Sequence, residues 1–523
     1  YNVTDTRATG LISNRRKFEE NTNEQSSLTR TDRDALAFNG QQIKTMNQVA
    51  YAVHTGGGLL CEKARHVMQR DCGAAKGEYR APYLVTPEER QAKREAQRGK
   101  TKAELMRERM KYTGGYVISP PPAYWNEPLI TLDFESLYPT IIADHELCWS
   151  TWIPHRKDED GRLEIMEYQG SRKPMTDMDP SKYMLWYLSE PRPRPEVVGD
   201  RILILVAEDW GHYEGKNRKW VTCIEAAKWT AYQQYLKLRE LFPSKRAFEF
   251  VDPIPKMKPV PEWKPTKDYV CKTYCHVVNR GSMFAPILRN LMKARAVAKL
   301  AKKEAIKAKN AAMEDVCEAR QLQIKLAANA SYGFAGAAKG YLGGLSIAAL
   351  TCLLGRHYIM ISALTSEGEY DKPSVYGDTD SIFTRDHAIT TGNYYGARKH
   401  IQRLEAIQRP TEKDKAELAK HRAAFEIIAK ERDRLLAHVE KEKNDKDDPR
   451  TLTPDEFKEL DFEMLAACKL QADKCAEAIS ARVTNGVMRI VPENIVIRSA
   501  FWKAKMYNKR TLEPKIETSS KGL

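Results

Sequence analysis

The chain has 523 residues, with 85 Lys and Arg against 70 Asp and Glu, for a formal net charge of +15. A 42% hydrophobic share, 30% charged residues and 9 Trp exclude long-range disorder, a collagen-like repeat and a bundle of membrane helices. The basic excess points to an anionic partner, nucleic acid ahead of a membrane surface, and the length to about three or four domains.

In chain order, residues 1–35 are polar with little periodicity, and 41–68 are mixed, broken by Gly56-Gly57-Gly58. Thr86-Pro87-Glu88-Glu89 is a helix-start signal, with a hydroxyl at the N-cap, Pro in the first turn and Glu three residues on. The charged helix it opens runs to about Lys111. Pro120-Pro121-Pro122 leads stiffly into Pro128-Leu129-Ile130-Thr131-Leu132, a short β run ending at Asp133. Residues 150–285 read as irregular, with several prolines and β-like pieces such as Ile202 to Val206. Ala285 to Ala335 reads as helix in two halves. The uncharged stretch Gly340 to Gly355 is too short for a membrane span of about 20 residues and is expected to be a buried helix.

Val375 to Phe383 predicts two short strands around a tight acidic turn. Residues 397–445 predict a charged helical hairpin, broken at Pro410 and recapped by Thr411 with Asp414. Phe425, Ile428, Leu435 and Val439 form its apolar stripe. A β-rich run, Asn494 to Phe501, and a polar tail follow. The ten cysteines include no CxxC pair. Cys271-x-x-x-Cys275-His276 lacks a second pair at ligand spacing, so ordinary reduced thiols of an intracellular protein are expected.

The chemistry concentrates in acids. Asp133 ends a β run, and Asp378 and Asp380 flank one residue of a turn. Side chains two apart in a strand share a face, so Asp378 and Asp380 are expected to point together toward Asp133. Carboxylates gathered so closely repel unless cations neutralise them, as two Mg²⁺ ions do in phosphoryl transfer. Lys325, Asn329 and Tyr332 fall on one face of a helix. Upstream, Arg295 and Lys299 lie four apart in a run from Arg289 to Lys309 that holds eight Lys or Arg and one acid, Glu304. Two antiparallel helices would turn these cations into one cleft.

Three segments resemble, in order, the motifs of family B DNA polymerases. Asp133-Phe134-Glu135-Ser136-Leu137-Tyr138-Pro139 resembles the first palm motif. Lys325-x-x-x-Asn329-x-x-Tyr332-Gly333, preceded by Arg320-Gln321, resembles the fingers motif. Tyr376-Gly377-Asp378-Thr379-Asp380-Ser381 resembles the second palm motif without substitution. Tyr112-Thr113-Gly114-Gly115 is similar to the YxGG element, and Lys505-Met506-Tyr507 to the end of the KKxY primer grip. Tyr1 and Asp5 resemble the third motif of a proofreading exonuclease. Among the departures, Ala330 stands where many members carry Ser, Ala504 replaces the first Lys of KKxY, and Ala296 and Leu300 take positions where Lys is commoner.

The resemblance implies an α+β fold: a right-hand palm with an antiparallel sheet and helices, plus helical-hairpin fingers, with the thumb and most of the exonuclease domain absent. The expected division is 1–40 exonuclease remnant, 41–130 connecting segment, 131–284 palm with an insertion, 285–336 fingers, and 337–396 palm with the catalytic hairpin. A charged helical insertion at 397–465, palm again at 466–510 and the start of a thumb at 511–523 complete it. Asp133, Asp378 and Asp380 are the implied catalytic acids, holding two Mg²⁺ ions (Mn²⁺ able to substitute) with the Phe134 carbonyl.

Ser136, Leu137, Tyr138, Arg295, Lys299, Lys325 and Asn329 are the implied nucleotide site, Tyr138 stacking under a 2′-deoxy sugar. Tyr112, Gly114, Gly115, Tyr332, Gly333, Thr379, Lys505 and Tyr507 would face template and primer. The implied partners are primer–template DNA, dNTPs and a processivity factor, with no membrane. A protein-primed polymerase and a catalytically incomplete DNA-binding subunit are the competing readings, and the insertions lean toward a large DNA virus.

Overall fold

The computed structural model describes residues 18–38, 42–55, 91, 95, 112–153, 155–157, 163–166, 172–174, 177–215, 219–248, 257–336, 344–390, 392–442, 452–483 and 487–522. Tyr1, Asp5 and nearly all of the helix expected over 86–111 lie outside these residues.

One antiparallel sheet organises the molecule. Its strands are β1 (Val117–Ile118), β2 (Ala123–Trp125), β3 (Leu129–Phe134), β4 (Ser374–Asp378), β5 (Ser381–Arg385), β6 (Ile490–Lys503), β7 (Met506–Glu513) and β8 (Glu517–Lys521). They pair in the order β1-β4-β5-β3-β6-β7-β8, and β2 adds to β6. The central strand β3 is apolar almost throughout because both of its faces are covered. Ile130, Leu132 and Phe134 enter the main core, while Leu129 on the other face joins a smaller cluster with Tyr376, Phe383 and Phe501. Alternation puts Asp133 on the second face, one step beyond that cluster. Residues 511–521, expected to open a further domain, are paired into this same sheet.

The helices that shape the site and its supports are α1 (Phe18–Thr29), α2 (Gln42–Thr55), α3 (Leu137–Asp144), α4 (Ile224–Leu241), α5 (Phe284–Lys307), α6 (Ala311–Ala335), α7 (Leu345–Tyr370), α8 (Asn393–Glu405), α9 (Glu412–Glu442) and α10 (Phe462–Arg482). The expected two-part helical segment is the hairpin α5–α6. Lys309 turns the chain at φ 52°, and Asn310 caps α6 by accepting from the Met313 amide at 3.1 Å. On the outer side of α6, α1 is tied down by the ion pair Arg320–Glu24 at 3.6 Å and by a hydrogen bond from Gln25 to Gln323.

Helix α7 is the expected buried helix, longer than the sequence marked. Among the described residues it is the one helix long and apolar enough to cross a membrane, yet 89% of its apolar window is buried inside the protein. It passes under the site, where a Cβ on Gly355 would sit 3.0 Å from the Tyr138 ring.

One expectation changes. Residues 150–285 are not irregular: Ile202–Glu214 is a strand of 13 residues, paired with Val270–Val277, Tyr183–Tyr187 and Lys219–Thr222, and α4 follows. The described prolines that made the stretch look broken fall outside these elements, mostly in 191–195 and 259–265. The hairpin α8–α9 is present, with Thr411 and Asp414 exchanging hydrogen bonds at its second start. Its expected apolar stripe is seated on the core: Ile428, Leu435 and Val439 are fully buried where α9 packs on α10.

Candidate active site

Strand register brings the acids together. Ser381 on β5 pairs with Asp133 on β3, and the Phe134 amide donates to the Asp380 carbonyl at 2.9 Å. Asp133 and Asp380 therefore sit diagonally at one end of adjacent strands. Burial, then Asp380, then Glu493 push the Asp133 carboxyl up to about 7. Asp380 is likewise raised, first by burial and then by Asp378 and Glu493, against the opposing pull of Lys325. A pair of carboxylates held this way has an unmet demand for positive charge.

Asp378 does not join them, which corrects the expectation that both acids of the turn point toward Asp133. Thr379 adopts φ 66°, so the alternation of the strand is broken between the two. Asp378 instead meets Lys505 at 3.3 Å and Lys521 at 3.2 Å. Burial would raise its carboxyl, but these two lysines outweigh burial and hold it below the usual value. The Thr379 turn is anchored by its amide donating to the Tyr116 carbonyl at 3.0 Å. It also leans on Gly115, where a Cβ would come within 2.8 Å of the Thr379 side chain. That close approach explains the second glycine of Tyr112-Thr113-Gly114-Gly115.

Asp133, Phe134 and Asp380 open onto a cleft of about 490 Å³ whose walls include Ser136, Leu137, Tyr138, Arg295, Lys299, Lys325, Asn329, Tyr332 and Thr379. Ser136, at φ 56°, precedes α3, and accepts a hydrogen bond from Arg295 at 2.9 Å. The Arg295 Nε is buried and finds no hydrogen-bond partner among the described residues. Lys299, Lys325 and Asn329 are exposed on the faces of α5 and α6 that look across at the acids. The floor is aromatic: the Tyr138 and Tyr332 rings lie 4.6 Å apart, and the Tyr332 hydroxyl is 3.3 Å from that of Tyr112.

Of the remaining expected residues, Gly114 presents its carbonyl to Arg356 at 2.9 Å, while Gly333 lies exposed on α6, outside the cleft lining. Tyr507 stacks in the cluster of Tyr376, Phe383 and Phe501 behind Lys505. Sequence reasoning missed Glu493, Val491 and Arg356. Glu493 follows Pro492 in a run with no motif, and only the pairing of Val491 with Asp133 reveals its place. Arg356 was the charge that ended an apolar stretch, a signal read only for its bearing on a membrane span.

The hard oxygen donors of Asp133, Asp380 and the Phe134 carbonyl, facing a wall of cations, fit divalent ions bound with a triphosphate. The comparisons with known proteins agree. Residues 36–182 and 261–405 match the family model described as DNA polymerase family B.

The chain belongs to DNA polymerase family B.

A DNA polymerase of Red sea bream iridovirus is 25% identical to this family B chain over 279 residues, 52% of this chain and 24% of the viral one. The DNA polymerase delta catalytic subunit of Bos taurus is 26% identical over 282 residues, 52% of this chain and 16% of that subunit. A segment of 43 residues is 56% identical to the DNA polymerase catalytic subunit of Equine herpesvirus 2, covering 8% of this chain and 4% of the viral one. The chain thus aligns with about a quarter or less of the length of each of these family B relatives.

Proposed function

We propose that this chain carries the catalytic core of a DNA-directed DNA polymerase acting in replication. The main sheet serves as the palm and the α5–α6 hairpin as the fingers. The observation that carries the reading is the single cleft that sets Asp133 and Asp380 against Arg295, Lys299 and Lys325. In it the primer 3′-hydroxyl attacks the α-phosphate of a dNTP, the P–O bond to the leaving pyrophosphate breaks, and the chain grows by one nucleotide.

Asp133, Asp380 and the Phe134 carbonyl would hold two Mg²⁺ ions, or Mn²⁺ in their place, which when bound supply charge neutralisation and Lewis acidity for in-line transfer. Arg295 and Lys325 grip the triphosphate, with Lys299 at the outer edge and Asn329 hydrogen-bonding sugar or phosphate. The Ser136 and Leu137 amides at the start of α3 receive phosphate oxygens. Tyr138 presents its ring to the sugar, backed by Tyr332, and leaves no space for a 2′-hydroxyl. Asp378 organises Lys505 and Lys521 beside the primer, with Tyr507 as their aromatic support.

Replacing Asp380 by Ala should abolish primer extension while leaving binding to primer–template DNA within about twofold. Extension at the unaltered rate would reject the assignment. A duplex DNA end that suffices to start synthesis separates this reading from a protein-primed enzyme of the same family.

A further inference from the structure

Outside the cleft, the charged hairpin α8–α9 carries a feature that polymerisation does not use. Among the described residues, one trio of His, Cys, Asp or Glu side chains has its ligand atoms all within 4.8 Å of one another: His400, Glu417 and His421. We propose that these three side chains form a second metal site, taking a borderline divalent ion of the zinc class and stapling α8 to α9.

The backbone supplies the arrangement. Glu417 and His421 are i and i+4 on α9, one turn apart on the same face, and His400 reaches them from α8. His400 Nε2 already lies 3.1 Å from a Glu417 carboxylate oxygen. The two imidazoles are packed edge to face with centroids 5.5 Å apart. A tetrahedral ion with bonds of about 2.0–2.1 Å holds its donors roughly 3.3 Å apart. Small side-chain rotations therefore close this trio on an ion without moving either helix.

The donor chemistry separates this site from the carboxylate cleft. Two imidazoles and one carboxylate favour zinc-class ions, whereas Mg²⁺ prefers oxygen donors and retained water. His400 and Glu417 are half-exposed and His421 is partly buried, and the trio borders a cleft of about 910 Å³ that also touches Gly392, Gly396, Lys413 and Lys420. That opening gives an ion a way in and leaves room for a water ligand. The two lysines work against a cation, but their long stems let the ammonium groups keep to solvent. Binding here would lock the outer part of the hairpin, beyond the point where Tyr394 stacks on Phe425.

The test is Co²⁺ and Zn²⁺ titration of the 523-residue chain in excess Mg²⁺, with Glu417→Gln and His421→Ala alongside. The expected result is one equivalent bound by the unaltered chain and at least tenfold weaker binding in both variants. The Co²⁺ spectrum should lack sulfur charge-transfer bands, because the three donors are two imidazoles and a carboxylate. Zn²⁺ should raise the melting temperature of the unaltered chain only. Primer extension in Mg²⁺ should be the same for all three proteins, which also reports that the variants fold. No uptake, equal uptake by both variants, or a thiolate spectrum would each overturn the proposal.

Discussion

Arg356 shows how one side chain can hold a site it does not enter. It is buried on α7, donates to the carbonyls of Thr113 at 2.6 Å and Gly114 at 2.9 Å, and pairs with buried Asp209 at 3.3 Å. Those carbonyls belong to the loop on which the Thr379 turn rests, so the guanidinium fixes the height of the acidic hairpin. Arg356→Met should cost about 3–5 kcal/mol, since it strands a buried carboxylate. Adding Asp209→Asn should restore part of the melting temperature, and primer extension should fall more than the stability loss alone explains.

Asp133 makes a second prediction at this scale. Its carboxyl is pushed up to about 7 from an ordinary 3.8, so the native state holds that proton more tightly than the unfolded chain. Its contribution to stability is fully present below pH 3.8 and is lost as pH rises through about 7. In metal-free buffer Asp133→Asn should therefore melt higher than the unaltered chain at pH 8, with the gap closing toward pH 4, while extension is abolished. A gap that does not depend on pH would contradict the cause assigned here.

At the scale of elements, legibility followed the strength of local pattern. The α5–α6 hairpin, β3, the acidic turn and the α8–α9 break at Pro410 were all readable, because each is set by neighbours within a few residues. Helices α4 and α10 were not. Helix α10 is rich in Ala and Cys, with Ala466, Ala467, Cys468, Ala472, Cys475 and Ala476 buried, so it packs closely without a bulky stripe to announce it. Helix α4 sits between two proline-rich stretches that dominate any average taken over the region. The fate of Asp378 was also hidden, since a left-handed Thr379 cannot be inferred from Gly-Asp-Thr-Asp, and Lys521 lies 143 residues away. Where the candidate site was legible, it was as motifs; their mutual placement came from register.

At the scale of the whole molecule, the basic excess is partly local. The run Arg289–Lys309 lies largely on α5, with Arg295 and Lys299 turned to the cleft and Lys302 bound to Glu318 across the hairpin at 2.9 Å. The sheet order that builds the cleft has a cost in time. β3 cannot gain either neighbour until β5, some 250 residues on, and β6, more than 350 on, have been brought to it. Closing such long loops is slow, whereas α5 and α6 meet across a three-residue turn. Refolding should therefore pass through a species with the hairpin formed and the acids still apart. Pulse-labelling hydrogen exchange should show amides of α5 and α6 protected before those of Phe134 and Thr379, and recovery of extension should follow the later phase. The strand order that gathers the acids thus also places the site among the late-forming parts of the molecule, so a stalled refolding chain would hold its cationic hairpin in place with nothing opposite it.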